Sequence, residues 1–138
     1  MILLDSNVVS EMMKPQPAAR VISWMKREPA SNLYVTRITQ AEILHGVMSL
    51  PQGRRRRALE AAAEAMFAED FADRVLVFGS EAALAYAHIV VERRRRGRPI
   101  AAFDAQSAAI ARASGATLAT RNLADFDYCA VKVVNPWK

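Results

Sequence analysis

Four acids, Asp5, Glu42, Asp104 and Asp125, stand far apart in this chain but at comparable places in its pattern. Asp5 follows Ile2-Leu3-Leu4, an unbroken apolar run of the kind that is buried on both faces of a parallel sheet. Glu42 is expected in the first turn of the helix after a second strand. Asp104 opens a later helix, and Asp125 comes shortly after a fourth strand. In open α/β sheets the carboxyl ends of the strands and the starts of the following helices share one edge, where active sites lie. Carboxylates gathered there repel and raise one another's pKa, so the cluster needs a cation to stay ionised. Hard oxygen donors select Mg²⁺ or Mn²⁺. Such an ion activates water and offsets charge on a phosphodiester under attack.

Each acid also has a plain structural role open to it. Asp5 can end a strand and cap the next helix. Thr39-Gln40-Ala41-Glu42 has the form of a capping box, with Glu42 reaching back to the helix start. Asp104 suits a helix N-terminus on dipole grounds, and Asp125 suits a solvated loop. The joint placement of the four, rather than any one of them, points to chemistry.

The elements that must deliver these acids are legible from apolar period and from Pro and Gly breaks. Strands are expected at the N-terminal run and at 33–36, 75–78, 117–120 and 131–134. Helices are expected at 8–13, 18–27, 39–50, 54–67, 80–96 and 104–114, with a single helical turn at 122–125. In the long helix Ser80 is the expected cap, and Leu84, Ala87 and Val91 form the expected core face. Gly97 and Gly115 close the last two long helices. Alternating strands and helices predict a three-layer α/β/α sandwich with a mostly parallel sheet, formed as one domain over residues 1–138.

Composition narrows the partners. With 138 residues, 52% of them hydrophobic, the chain can bury a substantial core. No apolar stretch is long enough to span a membrane, and the acid at position 5 argues against a signal peptide. Cys129 is the only cysteine, which rules out an internal disulfide and a multi-cysteine zinc site and fits a reducing cytoplasm. The formal charge of +5 favours a polyanionic partner. An acidic site on a basic protein suits a nuclease.

The residues that carry this pattern also carry a family resemblance. Ile2-Leu3-Leu4-Asp5-Ser6-Asn7, Thr39-Gln40-Ala41-Glu42-Ile43 with Gly46, Ile100-Ala101-Ala102-Phe103-Asp104, and Thr120-Arg121-Asn122-Leu123-Ala124-Asp125-Phe126 match in order and spacing. The chain resembles the PIN-domain ribonucleases, and in particular the VapC-type toxins of toxin–antitoxin pairs. The resemblance implies a Mg²⁺- or Mn²⁺-dependent endoribonuclease with Asp5, Glu42 and Asp104 as the main acidic metal ligands. It also implies an RNA substrate, a homodimer, and an inhibitory antitoxin, with hetero-oligomers of the two proteins. Some family members carry the fourth acid directly after Thr-Arg, where this chain has Asn122. Others carry it three residues later, matching Asp125, which is therefore assigned the fourth catalytic role. Asn122 could hold a metal-bound water, Asn7 and Thr39 are expected to orient Asp5 and Glu42, and Arg121 is the expected substrate contact.

Three other features were weighed. The arginine runs at 54–57 and 93–96, with Arg98, suit phosphate contact or plain solvation. Val8, Val9, Met12, Met13, Val21, Trp24 and Met25 are more apolar side chains than two short helices need, and part of this region is the expected antitoxin groove. His45 is expected to be structural or interfacial, and His88 to be core or surface; neither is expected to be catalytic. The rival functions are a phosphohydrolase with an aspartyl nucleophile and a non-catalytic RNA-binding or interaction module. Asn7 replaces the second aspartate that such phosphohydrolases want, and the retained acids oppose the module.

Overall fold

The computed structural model describes residues 1–138. Five parallel strands form one sheet in the order β3-β2-β1-β4-β5. These are β1 (Ile2–Leu4), β2 (Leu33–Thr36), β3 (Val75–Leu76), β4 (Thr117–Ala119) and β5 (Val133–Val134). Six α-helices accompany them: α1 (Ser6–Met12), α2 (Ala19–Arg27), α3 (Arg37–Met48), α4 (Arg54–Ala65), α5 (Ser80–Arg95) and α6 (Ala102–Ser114). A π-helical turn at Met66–Asp70 prolongs α4, and short 3-10 turns occupy Ala30–Asn32 and Leu123–Phe126. The expected layered α/β/α architecture is what forms, with every strand pair parallel. No helix is long and apolar enough to cross a membrane.

The apolar opening run lies at the centre. Leu3 pairs with Tyr34 on one side and Leu118 on the other, and Leu4 with Ala119. Because side chains alternate across a strand, Leu3 enters the core beneath α5 and α6 with Ile89, Ala108 and Leu118. Leu4 enters the opposite core with Val8, Val9, Val35 and Ile43. Both leucines are essentially inaccessible to solvent. The chain leaves β1 toward β2 and β3, and returns to β1's other side as β4 and β5. The switch point of the sheet therefore falls between β1 and β4, where a crevice opens at the strand ends.

Four expectations are corrected. The helix after β2 begins at Arg37, because Thr36 caps it directly, its Oγ1 accepting from the Thr39 N–H at 2.9 Å. Thr39 is thus inside the first turn and Glu42 in the second, so the capping box does not form. Strand β3 stops at Leu76, leaving Val77 and Phe78 exposed. Ser80 makes no side-chain cap; Gly79 stands at that position. Helix α5 is rotated from expectation: Ala82, Ala85, Ile89 and Arg93 face inward, while Leu84 and Val91 are 64% and 48% exposed. Alanines on α5 meet alanines on α6 (Ala108, Ala109), and small side chains allow a close helix approach that leucine would obstruct.

The cap assignment gives a direct check. Thr36→Ala should cost about 1 kcal/mol by urea unfolding, whereas Glu42→Gln should cost no helix stability. A true capping box at Thr39–Glu42 would reverse that ranking.

Candidate functional site

Asp5 is the fixed point of the crevice. It is 5% exposed, and both its oxygens are held. The Ser6 N–H donates to Oδ1 at 3.0 Å, which makes Asp5 the N-cap of α1. The Thr120 hydroxyl donates to Oδ2 at 2.9 Å from the end of β4. Asn7 supports the pair: its Nδ2 donates to Thr120 Oγ1 at 3.2 Å, and its Oδ1 accepts the Arg121 N–H at 3.3 Å. The Asn122 N–H closes the knot on Thr120 Oγ1 at 3.2 Å. Asn7 thus lies against both Asp5 and Thr120. Asn122 contributes its backbone, and its side chain is exposed.

The other three acids surround this point. Glu42 is half-buried on α3, along one wall with Ser6. Its carboxyl is pushed up to about 7, by burial first and then by Asp5 and Asp104, with the Ser6 hydroxyl acting in the opposite direction. Asp104, half-buried in the first turn of α6, is also raised, by burial and then by Asp5 and Asp125; the Arg93 cation opposes this. Asp5 itself is raised by burial and by Asp125, against the lowering effect of its bonds to Thr120 and Ser6. The four carboxylates thus feel one another across the crevice. Thr39 is buried and makes no hydrogen bond to Glu42 that would orient it.

Asp125 is exposed, but its backbone is clamped. Arg93 is 5% exposed, and no carboxylate pairs with it. Its Nη1 donates to the carbonyls of Asp125 at 2.7 Å and Asp127 at 3.0 Å, and its Nε to that of Arg98. Arg98 then reaches the Asp127 carboxylate at 3.2 Å, and the Arg96 guanidinium lies 4.1 Å over the Tyr128 ring. Arg93 and Arg98 are thus spent on holding the segment that carries Asp125, a role outside both readings of the 93–98 run, phosphate contact and plain solvation. The signal for Arg93 was present as the continuation of the 82/85/89 stripe, obscured by its charge. Thr120, whose hydroxyl joins β4 to Asp5, was read only as strand.

One further expectation changes. Val8, Val9 and Val21 are fully buried in the core, so of the seven expected groove residues only Met13 lines the nearby groove. That groove, about 700 Å³, runs from Ser6 and Glu42 between α1, α3 and α4, over Ile43, Val47, Leu50 and Leu59, with Lys14 and Arg55 on it. His45 and His88 are both exposed and away from any metal-binding cluster.

The donor set fits a hard cation that keeps its waters. All four side chains offer oxygen, and burial with mutual repulsion leaves them short of positive charge. No three acids close around a common point as they stand. A hard divalent cation such as Mg²⁺ takes one or two carboxylates directly and reaches others through its waters.

The sequence comparisons agree with this architecture. The PIN domain family model matches residues 2–131. Toxin FitB of Neisseria gonorrhoeae is 39% identical over 137 residues, covering 99% of each chain. VapC ribonuclease Y4jK of Sinorhizobium fredii is 34% identical over 138 residues, covering 100% of this chain and 99% of that protein. The crystal structure of FitAcB from Neisseria gonorrhoeae superposes with a TM-score of 0.92 at 39% identity, covering 99% of each chain. A five-stranded parallel sheet with acids at its switch point defines a PIN-like α/β protein, and the chain belongs to the PIN domain family.

The raised Glu42 pKa makes stability depend on pH with a definite sign. Below its ordinary value of 4.5 the group is protonated in both folded and unfolded chains and costs nothing. Between there and about 7 the unfolded chain ionises first, so stability falls as pH rises. Glu42→Gln should match the parent near about pH 4.5 in EDTA. It should be more stable by about 1 kcal/mol near about pH 8, a figure discounted for the solvent reaching this half-exposed group. Equal stability of the two proteins by urea unfolding at the higher pH would refute the strained carboxylate.

Proposed function

We propose that this chain is a divalent-cation-dependent endoribonuclease that acts as the toxin of a toxin–antitoxin pair in the cytoplasm. The observation that carries the reading is the placement of Asp5, Glu42, Asp104 and Asp125 about one crevice on a protein of net charge +5. The family membership and the relatives named VapC ribonuclease and Toxin FitB support it.

Asp5, Asp104 and Glu42 are the residues that would hold Mg²⁺ or Mn²⁺, with Asp125 adding charge beside them. When bound, such an ion makes water a better nucleophile and offsets charge on the phosphoryl oxygens. The chain's own residues prepare the rest. Ser6 and Thr120 fix both oxygens of Asp5 and leave each with a further lone pair to offer a cation. Glu42, whose carboxyl burial and the neighbouring acids push up to about 7, would give up its proton as a cation arrived. Arg121, tied to Asn7 through its N–H, stands at the rim with its guanidinium exposed for phosphate. Arg93 holds Asp125 in place from beneath.

The 700 Å³ groove beside Glu42 is the surface we assign to the antitoxin. Its apolar floor suits an amphipathic segment that orders on binding. A cation on that segment, placed at the Glu42 end, would pair with the acids in the ion's stead. The exposed α5 stripe of Leu84, Ala87 and Val91 is the face we assign to a second copy, because a helix packed on its symmetry mate is self-complementary.

The test is cleavage of end-labelled single-stranded RNA with Mg²⁺ or Mn²⁺. Asp5→Asn and Asp104→Asn should reduce cleavage to background without loss of fold, and Asp125→Asn should do less harm because that side chain is exposed. Full activity in either of the first two variants would overturn the assignment.

A further inference from the structure

A second groove lies between α2 and the C-terminal 135–138 turn. It holds about 260 Å³ and is lined by Ala19, Arg20, Ser23, Arg27, Pro136 and Lys138. Arg20, Ser23 and Arg27 recur at helical spacing on one face of α2, while Val21 on another face is buried in the core. The groove thus has three cationic side chains, one hydroxyl and no acidic side chain. None of the three cations takes part in any of the protein's salt bridges. This contrasts with Arg56, Arg96 and Arg98, each of which is paired with a nearby acid.

A chain of neighbouring residues leads from the acidic crevice toward the groove. Arg121 donates its N–H to Asn7, and Asn7 in turn supports Thr120 and Asp5. The Arg121 guanidinium lies 5.0 Å over the Trp137 ring, and Trp137 sits between the two groove residues Pro136 and Lys138. Glu11 is the acid nearest to Arg121 in electrostatic reach, but its carboxylate is committed to Lys14 at 3.0 Å and to the Ala18 N–H at 3.0 Å. Cations outside any salt bridge therefore stand both at the crevice rim and in the groove, with the half-buried Trp137 ring next in sequence to the groove residues. Proteins that hold single-stranded nucleic acid combine these two elements: cations that follow the phosphates and flat groups on which bases stack. Arginine serves both purposes, because its planar guanidinium stacks as well as pairs.

We propose that the groove between α2 and the 135–138 turn is a phosphate track, and that it holds the backbone of single-stranded RNA next to the acidic crevice. The proposal rests on the ribonuclease reading and adds where the substrate lies beyond the scissile bond. The track supplies affinity without base specificity, since none of its donors is placed to read base edges in a duplex groove.

The experiment is fluorescence anisotropy of a labelled single-stranded RNA of about 12 nucleotides against the full chain in EDTA, so that cleavage cannot run, over a series of KCl concentrations. Each phosphate contact on a single strand contributes a slope of roughly −0.7 in log K against log salt. Arg20→Ala/Arg27→Ala should therefore flatten the slope by about 1.4 and weaken binding more than tenfold near about 0.1 M salt. Both side chains are exposed, so the fold should be unaffected. Arg94→Ala/Arg95→Ala removes the same charge from exposed positions on α5, across the sheet, and should leave the slope unchanged. An unchanged slope in the α2 variant, or equal flattening in both variants, overturns the track while leaving the nuclease assignment standing. Failure of the parent chain to bind RNA at the lowest salt overturns both.

Discussion

Repulsion among carboxylates in a partly dry crevice is the constraint around which this protein is organised. Burial and mutual proximity push Asp5, Glu42 and Asp104 all in one direction, toward the neutral form. A fold that did not need those charges would separate them. Here each is held in place by a different device: Asp5 by the Ser6 N–H and the Thr120 hydroxyl, Glu42 by a helix started at Thr36, and Asp104 by the first turn of α6. Asp125 is held indirectly, through the carbonyl that Arg93 grips. A buried guanidinium without a carboxylate partner is costly. Carbonyl acceptors from residues 98, 125 and 127 offset that cost and lock the segment in place.

Failure of the T-x-x-E capping box has a functional consequence. Had Glu42 reached back to a backbone N–H, its carboxylate would have been satisfied and held low. With Thr36 as the cap, Glu42 is one turn further along, facing Ser6 and the other acids. The sheet edge thus gains a carboxylate that burial and neighbouring acids raise toward neutrality, a charge deficit that a captured cation would relieve.

The features best read from sequence were those set by strong local rules. The apolar run at β1, the four acids at one edge and the glycine that ends α6 follow from period, strand-end position and backbone conformation. Gly115 does adopt the left-handed conformation such a cap needs, with φ of 67°. The misreadings arose where tertiary packing outweighs hydropathy. Helix α5 buries alanines in preference to Leu84 and Val91, because its neighbour α6 is itself alanine-rich and the two approach closely. Val8 and Val9 were counted as surplus surface although β1 needed both to cover its second face. Arg93 and Thr120 were missed because their importance lies in long-range hydrogen bonds, to residues 32 and 115 positions away, which no local pattern encodes.

The central claim is that the raised carboxylates exist to receive a cation, and proton release on ion binding tests it most directly. Titration calorimetry with Mn²⁺ at about pH 7, repeated in buffers of different ionisation enthalpy, measures the protons displaced. Glu42 titrates at about 7, so binding should release about half a proton there and fewer near about pH 8.5, and Asp5→Asn should bind much more weakly. Binding that releases no proton at either pH, with Asp5→Asn as tight as the parent, would contradict it.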